Sequence, residues 1–179
     1  MKDQQSYFEK ADFQSSLPKQ LLVMFVAVVL VLLEVGLAQW TFFYGASPLL
    51  SLIFIYFMMI YHDELVPIVT VFIVGLIADL LMSDILGGRA TAMMLLSYAM
   101  RVGVLRLQQS EFMDLWLGFA VSCAAVTVFQ LIVFGMVHFS LPSVSPLLFQ
   151  IGFTLILFPI GFVIMFSVQR LLQALQVVR

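Results

Sequence analysis

Six apolar runs, separated by short polar breaks, occupy the chain from residue 21 to residue 168. A helix needs about 20 predominantly apolar residues to cross a bilayer's hydrocarbon core, within a range of roughly 17–25. Residues 21–39 form the first run, with Glu34 as its only charge. Trp40, Phe42, Phe43 and Tyr44 follow, an aromatic cluster of the kind found at a membrane interface. Gly45 and Pro48 make the turn, and Pro48 suits the first turn of the next helix, where its missing N–H costs nothing. The second run, residues 48–61, rises only about 21 Å against a core of roughly 30 Å. It either thins the bilayer or borrows Ser47 and His62 at its ends. The group Tyr61-His62-Asp63-Glu64 reads as a tight polar turn. Runs three to six cover residues 65–86, 90–107, 115–138 and 146–168. Pro159 and Gly161 in the sixth are expected to bend it.

This pattern predicts an all-α membrane protein built as a six-transmembrane helical bundle. Residues 1–18 are a polar tail ending in Pro18. They lack the short basic start of a cleavable signal peptide, and no small-residue cleavage site follows, so the first span is read as retained. Residues 19–168 form one six-span domain. Residues 169–179 place Gln169, Gln173 and Gln176 on one helix face, which suits a helix end lying along the inner surface or simply frayed. Composition agrees: 63% of the 179 residues are hydrophobic and 10% charged, with a mean hydropathy of +1.13. A soluble domain carries about 25% charged residues.

The cations set the orientation. With six spans and a cytoplasmic N-terminus, Lys2, Lys10, Lys19, Arg101, Arg106, Arg170 and Arg179 lie inside and Arg89 alone outside. Seven against one is a strong positive-inside bias, and five spans would weaken it. Both termini are therefore expected in the cytoplasm. A net charge of −2 and no basic run argue against nucleic acid. Cys123, the one cysteine, reads as a small packing residue. His62 and His138 fall on opposite sides of the membrane. No metal-ligand spacing, no Ser/His/Asp set and no phosphate-binding glycine loop occurs, so the chain is read as non-enzymatic, without metal or cofactor.

Three charged residues stand out. A carboxylate within a span costs about 2.5–3.5 kcal/mol on insertion scales, which makes Glu34 and Asp79 candidate functional residues. In the six-span topology both sit in the outer half, level with Arg89. They read either as a partner-binding or ligand site open to the outside, or as a structural latch locking helices one, three and four. The stretch GLIADLLMSDILGG, residues 75–88, surrounds Asp79 and adds Asp84. Gly75, four residues before Asp79, shares its face and allows a neighbouring backbone to approach. Gly87 and Gly88 tolerate left-handed backbone at a helix end. Gly118 with Ser122 and Ala120 with Ala124 have small-xxx-small spacing. Arg101 either snorkels from a tilted helix or follows a helix end near Met100.

Residues 45–100 resemble the rod shape-determining protein MreD family. The likeness lies in Pro48 opening the second span, Tyr56 late in it, and Gly75-Leu76 followed by Asp79-Leu80-Leu81. Leu86-Gly87-Gly88-Arg89-Ala90 then matches the family's L-G-x-x-A, and Tyr98 falls where a tyrosine is frequent. The acidic turn His62-Asp63-Glu64 ahead of Pro67 is neither required nor forbidden by that pattern. The resemblance implies a scaffold subunit of the bacterial elongation machinery. Its expected partners are MreC, RodA, a class B penicillin-binding protein, MreB and membrane lipid. It also implies a fold similar to the substrate-binding subunits of energy-coupling-factor transporters. The competing expectation is a vitamin-type small-molecule binding subunit of a membrane transporter.

Overall fold

The computed structural model describes residues 2–39, 47–82, 85–108, 111–139 and 144–177. Among them the chain is all-helical. In order come α1 (Lys2–Ala38), α2 (Leu50–Tyr61), a single 3₁₀ turn (Asp63–Leu65), α3 (Ile68–Met82), α4 (Gly88–Gln108), α5 (Phe112–His138) and α6 (Val144–Val177). Among the described residues, three segments are long and apolar enough to cross a membrane: Leu17–Ala38, Phe112–His138 and Ser145–Ser167. α2 and α3 are apolar but short. The aromatic cluster at residues 40–44, Gly45 and Asp84 lie outside the described residues.

The boundaries differ from the run lengths in instructive ways. α1 runs through Pro18 without a break, so most of the polar tail is continuous with the first span. α6 likewise runs through Pro159 and carries on to Val177. Pro48 lies ahead of α2 rather than in its first turn, and its carbonyl accepts from the Leu50 N–H at 3.0 Å. α4 continues past Met100, and the Arg101 guanidinium reaches back to the Val66 carbonyl at 2.7 Å. With Gln20 Nε2 donating to the Glu64 carbonyl at 3.2 Å, this ties the turn after α2 to α1 and α4.

The short second helix is the centre of the molecule. Nine of its 12 residues are buried, on every side. It packs against α1, α4, α5 and α6. A helix that is apolar all round belongs either in a protein core or in lipid, and α2 takes the first place, wrapped by its neighbours. The surrounding helices each turn one stripe inward. In α1 the stripe is Val23, Ala27, Val31 and Glu34; in α3 it is Val71, Val74, Gly75, Ala78 and Asp79. In α5 it is Leu115, Phe119, Cys123 and Val126. These steps of three and four residues are those of one helix face. Leucines, valines and phenylalanines on the opposite faces are exposed, as lipid-facing surface should be.

Tyr56 anchors the middle of the bundle. It is buried, its ring meets Phe119 and Phe158 edge-on at 5.2 and 5.9 Å, and its hydroxyl donates to the Leu115 carbonyl at 3.0 Å. Phe119 and Phe158 stack on each other at 4.3 Å. We expect Tyr56→Phe to lower stability by about 1 kcal/mol, one hydrogen bond, and Tyr56→Ala by about 3–5 kcal/mol through the cavity left behind. Thermal unfolding of the two purified variants in detergent checks the ratio; equal losses would deny the hydroxyl its role.

Candidate functional site

Every helix start leaves backbone N–H groups without an intrahelical partner. At the protein surface water satisfies them; inside an apolar bundle only protein can. α2 and α4 both start in the interior, and neither has a serine, threonine or asparagine of its own that caps it there. The sequence meets the need from a distance, with carboxylates on other helices.

Glu34 caps α2. It extends α1's inward stripe by one step from Val31 and is fully buried. Its Oε1 accepts from the Ser51 N–H at 2.6 Å. The neighbouring Leu49 N–H donates to Thr154 Oγ1 of α6 at 3.0 Å. Thr154 in turn donates its hydroxyl to the Gln150 carbonyl at 2.6 Å, so its oxygen lone pairs stay available.

Asp79 caps α4. Its Oδ2 accepts from the Gly87 N–H at 2.9 Å and the Ala90 N–H at 3.3 Å, and its Oδ1 from the Arg89 N–H at 3.1 Å. One carboxylate thus serves three donors at a helix N-terminus, where the helix dipole also favours negative charge. The last residues before α4 curl to present those N–H groups: Gly87 adopts φ +87°, a left-handed conformation open to glycine at little cost. α3 and α4 come close enough for this because Gly75 has no side chain. A Cβ there would stand 2.6 Å from the Ala90 Cα.

Arg89 completes the arrangement, though its guanidinium does not pair with Asp79. Only its backbone N–H meets that carboxylate. The side chain instead pairs with Glu34, Nη2 to Oε2 at 3.3 Å, with both residues almost fully buried. Nη1 faces the thioether sulfur of Met82 at 3.5 Å, and Nε has no hydrogen-bond partner among the described residues. The structure therefore brings Glu34, Asp79 and Arg89 together and ties α1, α2, α3 and α4 at one point. Arg89 is the largest fully buried side chain among the described residues. Gly88 sits beside it with its would-be Cβ at an ordinary 3.7 Å from Val133.

The family model for rod shape-determining protein MreD matches residues 14–175. The chain belongs to the MreD family. No curated protein and no solved structure matches it. MreD proteins are membrane proteins with a role in rod shape determination, and the network just described falls inside the matched region.

Two glutamines escaped the reading of the sequence. Gln130 of α5 and Gln150 of α6 border the same region as Asp79 and Arg89. Their signal was available, since a polar amide within an apolar run is itself a marked residue, but their faces are fixed only by how α5 and α6 pack. His138, at the end of α5, stacks on Phe134 at 4.3 Å and lies outside the network.

Asp79→Asn keeps one carbonyl oxygen but turns an amide NH₂ towards backbone donors, so at least one of three caps is lost. Asp79→Ala loses all three. We expect losses of about 1 and at least about 2 kcal/mol respectively, from cap and buried-donor costs. Unfolding midpoints in detergent measure both; an unaffected Asp79→Ala would show that the caps carry no weight.

Proposed function

We propose that this MreD-family protein is a non-enzymatic scaffold of the bacterial elongation machinery in the inner membrane. All six helices cross or enter the bilayer, arranged as in the substrate-binding subunits of energy-coupling-factor transporters, with both termini cytoplasmic. The scaffold holds MreC and, through it, supports lateral peptidoglycan synthesis by RodA and a class B penicillin-binding protein alongside MreB.

The observation that carries this reading is the family match over residues 14–175. The positive-inside count, seven cations against one, supports the orientation. The buried polar network supports a scaffold in physical terms. It fixes the relative positions of four helices through directed bonds, which gives a partner one rigid surface to meet. Interfaces between helices in lipid depend on close packing rather than on hydrophobic driving force, so rigidity is worth affinity there. A groove on α6, lined by Leu148, Phe149, Gly152, Phe153 and Ile156, offers such a surface, with Gly152 bare of neighbours.

The test is affinity purification from solubilised membranes followed by mass spectrometry. MreC and the wall synthases should be recovered with the wild-type protein, and less MreC with Asp79→Ala or Gly75→Leu. Undiminished recovery and unchanged rod shape in both variants would remove the α3–α4 junction from the partner surface. Failure to recover MreC at all would overturn the scaffold reading.

A further inference from the structure

A cavity of about 190 Å³ opens beside the polar network, between the α3–α4 junction, α5 and α6. Its polar lining is Asp79, Arg89, Gln130 and Gln150; Leu131, Phe134 and Leu147 are among its apolar walls. From this lining we infer a binding site for a neutral, hydroxyl-bearing polar group, such as the head of an uncharged glycerolipid or a free polyol.

The donors come first. A guanidinium carries five N–H donors in a fixed fork. Arg89 uses one towards Glu34, offers Nη1 to a thioether, which is a weak acceptor, and leaves Nε without a partner although the residue is 1% exposed. Buried polar groups are normally satisfied, so an Arg in this state at a cavity wall points to an acceptor in the cavity. Gln130 and Gln150 each add an amide NH₂ group to the cavity lining.

The acceptors decide the ligand's charge. Asp79 has about four lone-pair sites and the backbone fills three. The two glutamine side-chain carbonyls add acceptors to the lining beside their amide donors. Glu34 already neutralises Arg89, so the cavity keeps no spare positive charge. The Asp79 charge is likewise offset, by three N–H groups and the dipole at the start of α4, so a carboxylate or phosphate meets no unpaired cation there and a cation no unpaired carboxylate. A hydroxyl both donates and accepts, and so fits the lining in either direction. The apolar walls leave room for the first carbons of an attached chain. This inference goes beyond the scaffold role and holds without it.

The experiment measures melting temperature of the full-length protein in detergent, since a ligand of the folded state raises it by mass action. Monoolein, methyl oleate, oleic acid and free glycerol are the probes, with wild type, Gln130→Leu, Gln150→Leu and the cavity-filling Leu147→Trp. Leucine suits a span, so the glutamine variants should keep the wild-type melting temperature without probe. We expect monoolein to raise the wild-type value more than methyl oleate or oleic acid. Each glutamine variant should bind roughly fivefold more weakly, the loss of one ordinary hydrogen bond, and Leu147→Trp should abolish the shift. A variant-sensitive shift with glycerol as well assigns a free polyol rather than a lipid head. Should a variant fail to fold, native mass spectrometry of the wild type must still retain monoolein over methyl oleate. Equal retention, a stronger effect of oleic acid, no shift with any probe, or shifts unchanged in the folded variants would each overturn the inference.

Discussion

Arg89→Met should destabilise the protein by about 3–5 kcal/mol, the cost of stripping one partner from a buried ion pair. The substitution leaves the Glu34 carboxylate fully buried without its charge partner, held by the polar groups at the start of α2, the Ser51 N–H among them. Met is chosen because it fills space flexibly and brings no new charge. Glu34→Gln alone should also be costly, since it orphans the guanidinium while keeping an acceptor for Ser51. The double variant, Glu34→Gln with Arg89→Met, should recover much of the loss, because no charge then remains unpaired. A double-mutant cycle on unfolding midpoints in mixed micelles measures the coupling, expected between about 0.5 and 3 kcal/mol. Strict additivity of the two single effects would mean that the pair does not act as a pair.

Gly75→Leu should be the most damaging change on α3. The obstacle to a side chain there is backbone: the Ala90 Cα at 2.6 Å and its nitrogen at 3.0 Å. Backbone cannot swing aside as a side-chain tip does, so α3 and α4 must separate. Overpacking of a well-packed site costs about 1–3 kcal/mol and occasionally more. Here separation also pulls Asp79 away from the three N–H groups it caps, so Gly75→Ala should reach that range and Gly75→Leu exceed it. The neighbouring glycines supply controls with different physics. Gly87→Ala strains a φ of +87° at about 1 kcal/mol, and Gly88→Ala should be tolerated, its Cβ meeting only Val133 at 3.7 Å. Melting temperatures of the four variants should fall in the order Gly88→Ala, Gly87→Ala, Gly75→Ala, Gly75→Leu. A Gly75→Leu protein as stable as Gly88→Ala would contradict the close approach of α3 and α4.

The acidic residues show where reading a sequence stops. Glu34 and Asp79 were conspicuous as charges in apolar runs, and Arg89 as the one outer cation. The six-span count expects them in the same half of the membrane, and the structure brings them to one point. Their jobs could not be read from the sequence. The spacing of Asp79 and Arg89 invites a direct ion pair between the two side chains. The structure instead gives Asp79 to the backbone of α4 and gives the guanidinium to Glu34, 55 positions away in the chain. A carboxylate that caps another helix leaves no local mark, because its partners are N–H groups that every residue carries. Gly75 was legible as a close-approach site, but which backbone came close was not.

The short second run shows the same divide. By length alone it looked like a marginal span. Enclosed by α1, α4, α5 and α6, it is the core. Its shortness is why its first N–H groups need Glu34 and Thr154 at all.

The sequence by itself determined a helical membrane protein. Apolar runs near 20 residues and scarce charge admit little else in a solvent that cannot satisfy an exposed backbone. It also determined which few charges had to find partners. Only the tertiary structure decided who those partners are. Hydrogen bonds and ion pairs act over about 3 Å, and no pattern along a single helix specifies which part of another helix will stand at that distance.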